Sequence, residues 1–394
     1  MGPVETGRHR FDIAEVVRRH RSALEACSEL SVAQKRVLSA IERCRTAALG
    51  GHVDTCRSCG HEHPAYNSCR NRHCPKCQAL AQEQWISARS ERILPVPHFH
   101  VVFTLPSELR GLGHYRPKEL FNALFSAASA TLMELGRGRL GAELGVTMVL
   151  HTWTRDLRFH PHVHCIVTAG GLGLDGERWV KSSQKYLFPV KVMGALLRGK
   201  MMAALSRLYA QGVFEGYEDF TSPEGFGRLM RKLAKTDWVV YAKKPFRRAD
   251  HVLRYLGRYT HRVAIANSRL VDVDEEHVTF RTKEGKTVTL TPVEFLRRFV
   301  QHVLPAGFVK IRHYGLLAGA NVEGKLAVAR RLLEARKAPL PEAEPMSASG
   351  ERVDLSDWAG ALLALTGRDV SRCPKCSAEV VRRAVPRAAQ REPP

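Results

Sequence analysis

The sequence predicts an α+β fold in which a cysteine-rich helical module precedes an antiparallel sheet, and a small β-rich subdomain follows the sheet. Apolar residues recur at helical spacing over residues 11–49, directly before a cysteine-rich stretch. Strand-like runs at 98–105, 145–153 and 159–168 surround a helical segment at 117–135, which indicates one mixed sheet-and-helix domain. Short strand-like runs recur at 270–273, 277–281 and 286–290, and a helical segment follows them at 292–303.

The cysteine-rich stretch contains two Cys-x-x-Cys pairs. Cys56 and Cys59 are separated from Cys74 and Cys77 by 14 residues, a spacing typical of a zinc-ribbon-like tetrahedral site. We therefore predict that these four thiolates hold one structural Zn²⁺. A second ion is a further possibility, because the same stretch offers other side chains that are either ligands or ordinary polar residues: His52, His61, His63, Cys69 and His73.

The remaining cysteines receive weaker predictions. Cys27 and Cys44 lie in the helical segments, and we expect them to be buried free thiols. Cys373 and Cys376 form a single pair near the C-terminus, and one pair cannot complete a zinc site. That pair is either a remnant, or it shares a metal with another chain or with an unidentified histidine.

The charge of the chain indicates a nucleic-acid partner. There are 61 Lys and Arg residues against 39 Asp and Glu, a net charge of +22, and the pI is about 9.9. Ribosome-associated and membrane-surface proteins share such values, so charge alone does not decide. No apolar run has the roughly 20 residues of a membrane span, and the N-terminus has no apolar signal segment. We expect a cytoplasmic, nucleoid-associated bacterial protein that does not bind membranes and has no disulfides.

A histidine strand and a tyrosine helix together predict phosphodiester chemistry. His162 and His164 share one face of a strand, and Tyr255 and Tyr259 share one face of a helix. Each pair alone is more often incidental or packed in a core. If the two pairs form one site, a metal held by the imidazoles would polarise a phosphate and a tyrosine would attack it. The third metal ligand stays open among three residues, His151, His100 and Asp156, and His160 is either a ligand or a phosphate contact.

Basic side chains accompany both motifs. Arg254, Arg258 and Arg262 recur every four residues beside the tyrosines, which would hold a phosphodiester against the phenols. The cations that we predict to bind DNA are Arg70, Arg72, Lys76, Lys243, Lys244, Arg254, Arg258 and Arg262.

Six motifs, in order along residues 15–335, carry a family resemblance. They are Tyr66–Cys77, His100–Pro106, His160–His164, Trp238–Phe246, Tyr255–Arg262 and Arg312–Gly315. In these motifs the chain resembles the rolling-circle insertion-sequence transposases that carry an N-terminal zinc-binding domain, members of the two-tyrosine HUH endonuclease superfamily. The resemblance implies that His162 and His164 bind the catalytic metal, Mg²⁺ or Mn²⁺, and that Tyr255 and Tyr259 are paired nucleophiles.

The resemblance also implies a mechanism and a domain order. Single-stranded or hairpin-forming element ends would be cleaved through a 5′-phosphotyrosine and transferred to target DNA without ATP, by a protein that can form a homo-oligomer on DNA. The regions would be an N-terminal helical and zinc-binding DNA-recognition module (1–92), an HUH-endonuclease antiparallel sheet flanked by helices and carrying the tyrosine helix (93–267), a small β/α subdomain (268–337), and a linker with a flexible basic tail (338–394). The alternatives are a plasmid-type replication or mobilisation initiator, and a catalytically inactive zinc-dependent DNA-binding protein.

Overall fold

The computed structural model describes residues 10–90, 92–183, 185–220, 223–246, 264–335, 360, 363 and 369–387. In this part of the chain the helices are α1 (Ile13–Cys27), α2 (Val32–Arg43), α3 (Gln78–Ser90), α4 (Arg110–Tyr115), α5 (Pro117–Leu135), α6 (Val190–Ala210), α7 (Pro223–Lys235), α8 (Pro292–Val300) and α9 (Ala327–Glu334). The strands are β1 (Gly51–Cys56), β2 (Glu62–Tyr66), β3 (His98–Thr104), β4 (Ala142–Trp153), β5 (Phe159–Gly173), β6 (Trp179–Lys181), β7 (Val240–Phe246), β8 (Leu270–Val273), β9 (Val278–Arg281), β10 (Thr287–Leu290), β11 (Ile311–Gly315) and β12 (Val380–Val385).

The chain divides into two compact units, each assembled from separate stretches of sequence. The first unit takes its residues from 1–84, 265–297 and 340–394, and the second from 85–264 and 298–339. The functional boundaries of the four consecutive regions predicted from the sequence remain predictions. The mixture of helices with antiparallel sheets confirms the α+β class.

The first unit begins with two capped helices, which confirms the helical periodicity of residues 11–49. Asp12 caps α1 by accepting a hydrogen bond from the backbone amide of Ala14 at 3.0 Å. Ser31 and Gln34 form a reciprocal capping box at the start of α2. Three antiparallel strands follow in the order β12-β1-β2, so the strand nearest the C-terminus pairs with the first strand of the chain.

The small β-rich region is a three-stranded meander, β8-β9-β10. Its strands start within one residue of the predicted positions, because each run is rich in β-branched residues and is closed by turn residues. Phe280 of β9 contacts the ring of Phe295 of α8 edge-on, with ring centroids 5.7 Å apart. Asn267 donates to the Asp12 carboxylate at 3.0 Å, which links this region to the start of α1.

The second unit is built around one antiparallel sheet. Its strand order is β11-β4-β5-β3-β7, and the short β6 also pairs with β5. The strand that carries His162 and His164 therefore lies in the centre of the sheet. The edge strand β7 begins at Val240 and includes the basic residues Lys243 and Lys244.

The two faces of this sheet differ in chemistry. On one face, Phe99, Phe103 and Val163 are fully buried in the main apolar core, to which α5 and α6 also contribute. The opposite face carries the alternate residues of the same strands, among them His100 and His164. The period of two thus separates an apolar packing face from a histidine-bearing face.

The glycine run at 170–173 does not turn the chain out of the sheet, although glycine clusters usually indicate a turn. β5 continues to Gly173 and pairs with both β4 and β6. A Cβ on Gly171 would lie 2.3 Å from the carbonyl oxygen of Glu143, and Gly170 has a φ of +129°. Glycine is therefore needed for close backbone approach within a strand, and not for a turn.

None of the helices in the described ranges combines the length and the apolar character needed to cross a lipid bilayer.

Candidate metal centres and nucleic-acid interface

Three histidines converge on the histidine-bearing face of the central sheet. His162 and His164 lie on β5, and His151 lies on β4 directly opposite His162. One ring nitrogen from each lies within 4.8 Å of those of the other two. The Nε2 atoms of His162 and His164 are 3.1 Å apart. One ion bound by both nitrogens at about 2.1 Å would set them about 3.0–3.4 Å apart, so these donors fit a shared metal.

Neighbouring groups fix the orientation of the two β5 imidazoles. Nδ1 of His162 lies 2.7 Å from the carbonyl oxygen of His160, which can only accept, so this nitrogen carries the proton. Nδ1 of His164 lies 2.8 Å from Nε2 of His100 on β3. Both contacts leave the Nε2 atoms directed towards each other and towards His151.

Burial keeps these imidazoles neutral. It lowers the pKa of His162 to about 4 and the pKa of His164 well below its usual value. Burial, followed by the nearby charges of Lys243 and His162, also lowers the pKa of His100 to about 4. Only neutral imidazole can bind a metal, so at pH 7 His162 and His164 do not have to lose a proton before coordination.

The other residues proposed for this site lie differently. Asp156 sits in the turn between β4 and β5, where it pairs with Thr154 and with Arg158, and it is not a member of the histidine cluster found among the described residues. His160 contributes its carbonyl oxygen, and its ring centroid is 5.4 Å from that of His162. Lys243 is exposed on β7 opposite His100. The predicted tyrosine helix, with Tyr255, Tyr259, Arg254, Arg258 and Arg262, lies outside the described residues.

Eight cysteines form two four-cysteine clusters, and this corrects the predicted grouping. Cys74 and Cys77 do not meet Cys56 and Cys59. They cluster instead with Cys69 and with Cys44, which follows the last residue of α2. The Sγ atoms of Cys44 and Cys77 are 3.3 Å apart, and those of Cys69 and Cys77 are 3.6 Å apart. Zinc bound tetrahedrally at 2.3 Å would set sulfurs about 3.8 Å apart, so the donors fit one Zn²⁺.

The other two predicted ligands, Cys56 and Cys59, cluster with Cys373 and Cys376. The C-terminal pair is therefore not a remnant, and it does not need another chain or a histidine to complete a four-ligand cluster. Within the predicted tail, Val380–Val385 form strand β12. The backbone amide of Cys59 lowers the pKa of Cys56 to about 6, which favours the thiolate that zinc binds.

The candidate histidine ligands of the cysteine-rich stretch do not join these clusters in the described part of the chain, where the metal-binding groups consist of cysteines alone or of the three sheet histidines. His52 lies 3.5 Å from the Asp54 carboxylate, and His73 contacts the Asn71 side chain at 3.1 Å. His61 and His63 are half-buried around β2. Of the five proposed additional ligands, only Cys69 is placed in a cluster.

A cavity of about 790 Å³, which we call the cationic groove, lies in the first unit between α2 and the cysteine-rich loop. No acidic side chain lines it among the described residues. Its charged lining consists of Lys35, Arg36, Arg43, Arg70 and Arg387. Two other predicted DNA contacts, Arg72 and Lys76, lie in this unit. Burial lowers the pKa of Arg72, and Lys76 forms an ion pair with Asp12. The groove therefore gathers cations that the sequence analysis had largely missed.

Two sequence signals could have identified the missed residues. Cys373-Pro-Lys-Cys376 repeats the knuckle Cys56-Arg-Ser-Cys59, and knuckles commonly bind zinc in pairs. Lys35, Arg36 and Arg43 lie on one side of α2, where a basic face is visible from spacing. Their convergence with Arg70 and Arg387 depends on tertiary structure and has no local signal.

Comparison with known proteins agrees with this arrangement. Residues 16–105 match the family described as "Transposase zinc-binding domain", and residues 145–325 match "Putative transposase". A putative transposase of Sinorhizobium fredii is 41% identical over 377 residues, which cover 93% of this chain and 92% of that protein. The transposase for insertion sequence element IS801 of Pseudomonas savastanoi pv. phaseolicola is 31% identical over 346 residues, covering 86% and 80%. No solved structure matches. The chain therefore belongs to the IS91-type rolling-circle transposases with an N-terminal zinc-binding domain, and DNA is its partner.

Proposed function

We propose that this transposase is an HUH-type single-strand DNA endonuclease and strand transferase that cleaves element ends through a 5′-phosphotyrosine. The observation that carries the proposal is the convergence of three imidazoles, His151, His162 and His164, on one face of the central sheet. A structural histidine cluster would need no such set of unprotonated nitrogens directed at one point. The tyrosine pair of the sequence supplies the nucleophiles that such a metal centre serves.

His151 is the third metal ligand in this proposal, and His100 is a positioning residue. His164 can bind a metal through Nε2 only if its proton sits on Nδ1, and that proton needs an acceptor. Neutral His100 supplies the acceptor through Nε2 at 2.8 Å. His100 would therefore hold the His164 ring in its coordinating orientation without touching the ion itself.

A divalent ion, Mg²⁺ or Mn²⁺, bound by this cluster would polarise the scissile phosphate and favour ionisation of a nearby phenol. Tyr255 or Tyr259 attacks the phosphorus through its phenolate oxygen. The new bond joins that oxygen to phosphorus, the bond from phosphorus to the 3′ oxygen breaks, and the 3′ oxygen takes up a proton. One phosphodiester replaces another, so the step needs no ATP, and reversal by a different 3′-hydroxyl accomplishes strand transfer.

The substrate class follows from the same chemistry. A phosphate must reach the histidine-bearing face of the sheet to contact buried imidazoles. A single strand of DNA can bend into such a site, whereas a duplex cannot. Lys243, exposed on β7 opposite His100, offers a phosphate contact beside the metal centre. We therefore propose single-stranded or hairpin-forming element ends as the cleaved DNA, with target DNA accepting the transferred strand.

The test uses end-labelled single-stranded oligonucleotides that span the element termini. The protein is incubated with Mn²⁺, with Mg²⁺ or with EDTA, and covalent adducts are resolved on denaturing gels. We expect a metal-dependent adduct that persists in Tyr255→Phe and in Tyr259→Phe and disappears in the double variant. Loss of the adduct in one single variant would leave only one nucleophile, and no adduct with retained DNA binding would favour a catalytically inactive DNA-binding protein.

A second set of variants tests the roles of the histidines. His151→Ala and His164→Ala should abolish the adduct, as expected for ligands. His100→Gln places an amide oxygen that can accept from His164, so it should keep most of the adduct, whereas His100→Leu should raise the Mn²⁺ concentration needed for half-maximal cleavage. Equal metal requirements in His100→Leu and in the wild-type protein would contradict the positioning role.

A further inference from the structure

We propose that Cys56, Cys59, Cys373 and Cys376 form a second structural zinc site, and that this ion fastens the C-terminal segment, residues 369–387, to the N-terminal sheet. The regions that match the two transposase families end at residues 105 and 325, so neither of them includes this segment. The proposal does not depend on the cleavage mechanism. It concerns residues that are up to 320 positions apart in the sequence.

The positions of the four sulfurs fit a tetrahedral ion. Sγ of Cys376 lies 3.4 Å from that of Cys56 and 3.5 Å from that of Cys59, and Sγ of Cys373 lies 3.7 Å from that of Cys59. A Zn²⁺ at 2.3 Å from each sulfur would set them about 3.8 Å apart. The four thiols are free, and each cysteine contacts partners from the other knuckle, as a shared ion requires.

The two knuckles have the same backbone conformation although they lie at opposite ends of the chain. Gly60 donates to the carbonyl oxygen of Cys56 at 3.1 Å, and Ser377 donates to that of Cys373 at 2.9 Å. The backbone amides of Cys56 and Cys373 in turn donate to the carbonyl oxygen of the residue five positions later, at 3.0 and 2.8 Å.

Ser377 adopts a φ of +60°, close to the +67° of Gly60. A residue with a Cβ rarely adopts this left-handed conformation. Here it completes the same turn that presents the two sulfurs of the first knuckle. The strained backbone is therefore explained by metal coordination.

Contacts beyond the sulfurs hold the same segment in place. β12 pairs with β1 along its whole length, from Gly51 opposite Val385 to Cys56 opposite Val380. Arg382 donates two hydrogen bonds to the Asp54 carboxylate, at 2.7 and 3.0 Å. The C-terminal segment is thus a strand of the zinc-binding unit, and the proposed ion closes the end of the sheet where the two strands meet.

The charge around the site suits a four-thiolate ion. Four thiolates and one Zn²⁺ carry a net charge of −2, which must be offset nearby. Arg57 lies inside the first knuckle, Lys375 lies inside the second, and Arg372 directly precedes Cys373. With four protein ligands the site has no open position for substrate, so its role is structural.

The experiment counts thiolate-bound metal in the full-length protein. Co²⁺ replaces Zn²⁺, and the intensity of the sulfur-to-cobalt charge-transfer band reports only metal–thiolate bonds, so the histidine cluster does not contribute. We expect the wild-type band to correspond to two four-cysteine sites. Cys373→Ser/Cys376→Ser and Cys44→Ser/Cys69→Ser should each remove half of it, whereas Cys27→Ser, which changes an exposed cysteine outside both clusters, should leave it unchanged.

Cys376→His separates a ligand from a cysteine needed only for folding, because zinc and cobalt also accept three cysteines and one histidine. We expect this variant to bind a metal ion at each of the two cysteine clusters, with a band close to seven-eighths of the wild-type intensity. A full band in Cys373→Ser/Cys376→Ser would overturn the proposal. If the double variant loses the whole band, the Cys376→His variant decides. A Cys376→His band no stronger than the band of the double variant would also overturn the proposal.

Discussion

The cationic groove gives a quantitative prediction about DNA binding. Lys35, Arg36, Arg43, Arg70 and Arg387 line it, without an acidic residue among the described lining residues. Arg36 and Arg70 are exposed and lie on different sides of the groove, one on α2 and one on the cysteine-rich loop. Replacing both by alanine should remove two phosphate contacts and leave the two cysteine clusters intact.

The expected effect follows from counterion release. Each phosphate contact with single-stranded DNA contributes about 0.7 to the slope of log K against log salt concentration, so five contacts contribute about 3.5. Arg36→Ala/Arg70→Ala should therefore reduce the slope by about 1.4. If the affinities of the two proteins converge at 1 M salt, the variant should bind about 25-fold more weakly at 0.1 M.

The assay is fluorescence anisotropy with a labelled single-stranded oligonucleotide at a series of KCl concentrations. Arg137→Ala/Arg139→Ala removes two exposed cations of the second unit and serves as the matched control, because it makes the same change in net charge. The reasoning fails if the groove variant keeps the wild-type slope, or if the control loses as much. Zinc content measured on the same samples checks that the groove variant remains folded.

Three further predictions concern stability. Cys44→Ser should release one zinc and lower the free energy of unfolding of the first unit by at least about 3 kcal/mol, measured by denaturant titration with Cys27→Ser as control. Gly171→Ala should cost about 2 kcal/mol or more, because its Cβ would meet the Glu143 carbonyl at 2.3 Å; Gly138→Ala, with open space around its Cβ, should be nearly neutral. Burial lowers the pKa of His302 to about 4, so only the unfolded chain gains this proton between pH 6.5 and 4, and stability falls over that window by up to about 3 kcal/mol; His302→Gln, whose amide can still donate to the Leu157 carbonyl, should lack that loss.

Local patterns were sufficient to predict several elements of the second unit. The helix at 117–135 has the predicted bounds because an N-terminal proline starts it and apolar residues recur at helical spacing. The alternation in β5 correctly put His162 and His164 on one face. The third histidine could not be chosen from sequence, because only the register between β4 and β5 brings His151 opposite His162 while leaving Asp156 in the turn.

The zinc sites show where local patterns fail. Spacing suggested that Cys56 and Cys59 share an ion with Cys74 and Cys77. Instead, the first pair clusters with Cys373 and Cys376, and the second with Cys69 and Cys44. Cys44 was predicted to be a buried free thiol because it lies at the end of an amphipathic helix. The same position places its sulfur beside the cysteine-rich loop. Strand pairing between distant parts of the chain decides which Cys-x-x-Cys knuckles lie next to each other. A short window of sequence does not contain that information.

The two kinds of metal site also differ in the ions that they should accept. Four thiolates are soft ligands that select zinc. The histidine cluster offers three imidazole nitrogens and, among the described residues, no carboxylate oxygen. Mg²⁺ prefers oxygen ligands and keeps its waters, so imidazoles should bind it weakly, and Mn²⁺ accepts nitrogen more readily. If the histidine cluster is the catalytic centre, Mn²⁺ should support adduct formation at a concentration at least about tenfold lower than Mg²⁺ does, which corresponds to about 1.4 kcal/mol. Titrating each ion into chelator-treated protein that retains its zinc measures this ratio. Equal half-activating concentrations would indicate that an oxygen ligand completes the site and that three imidazoles alone do not describe it.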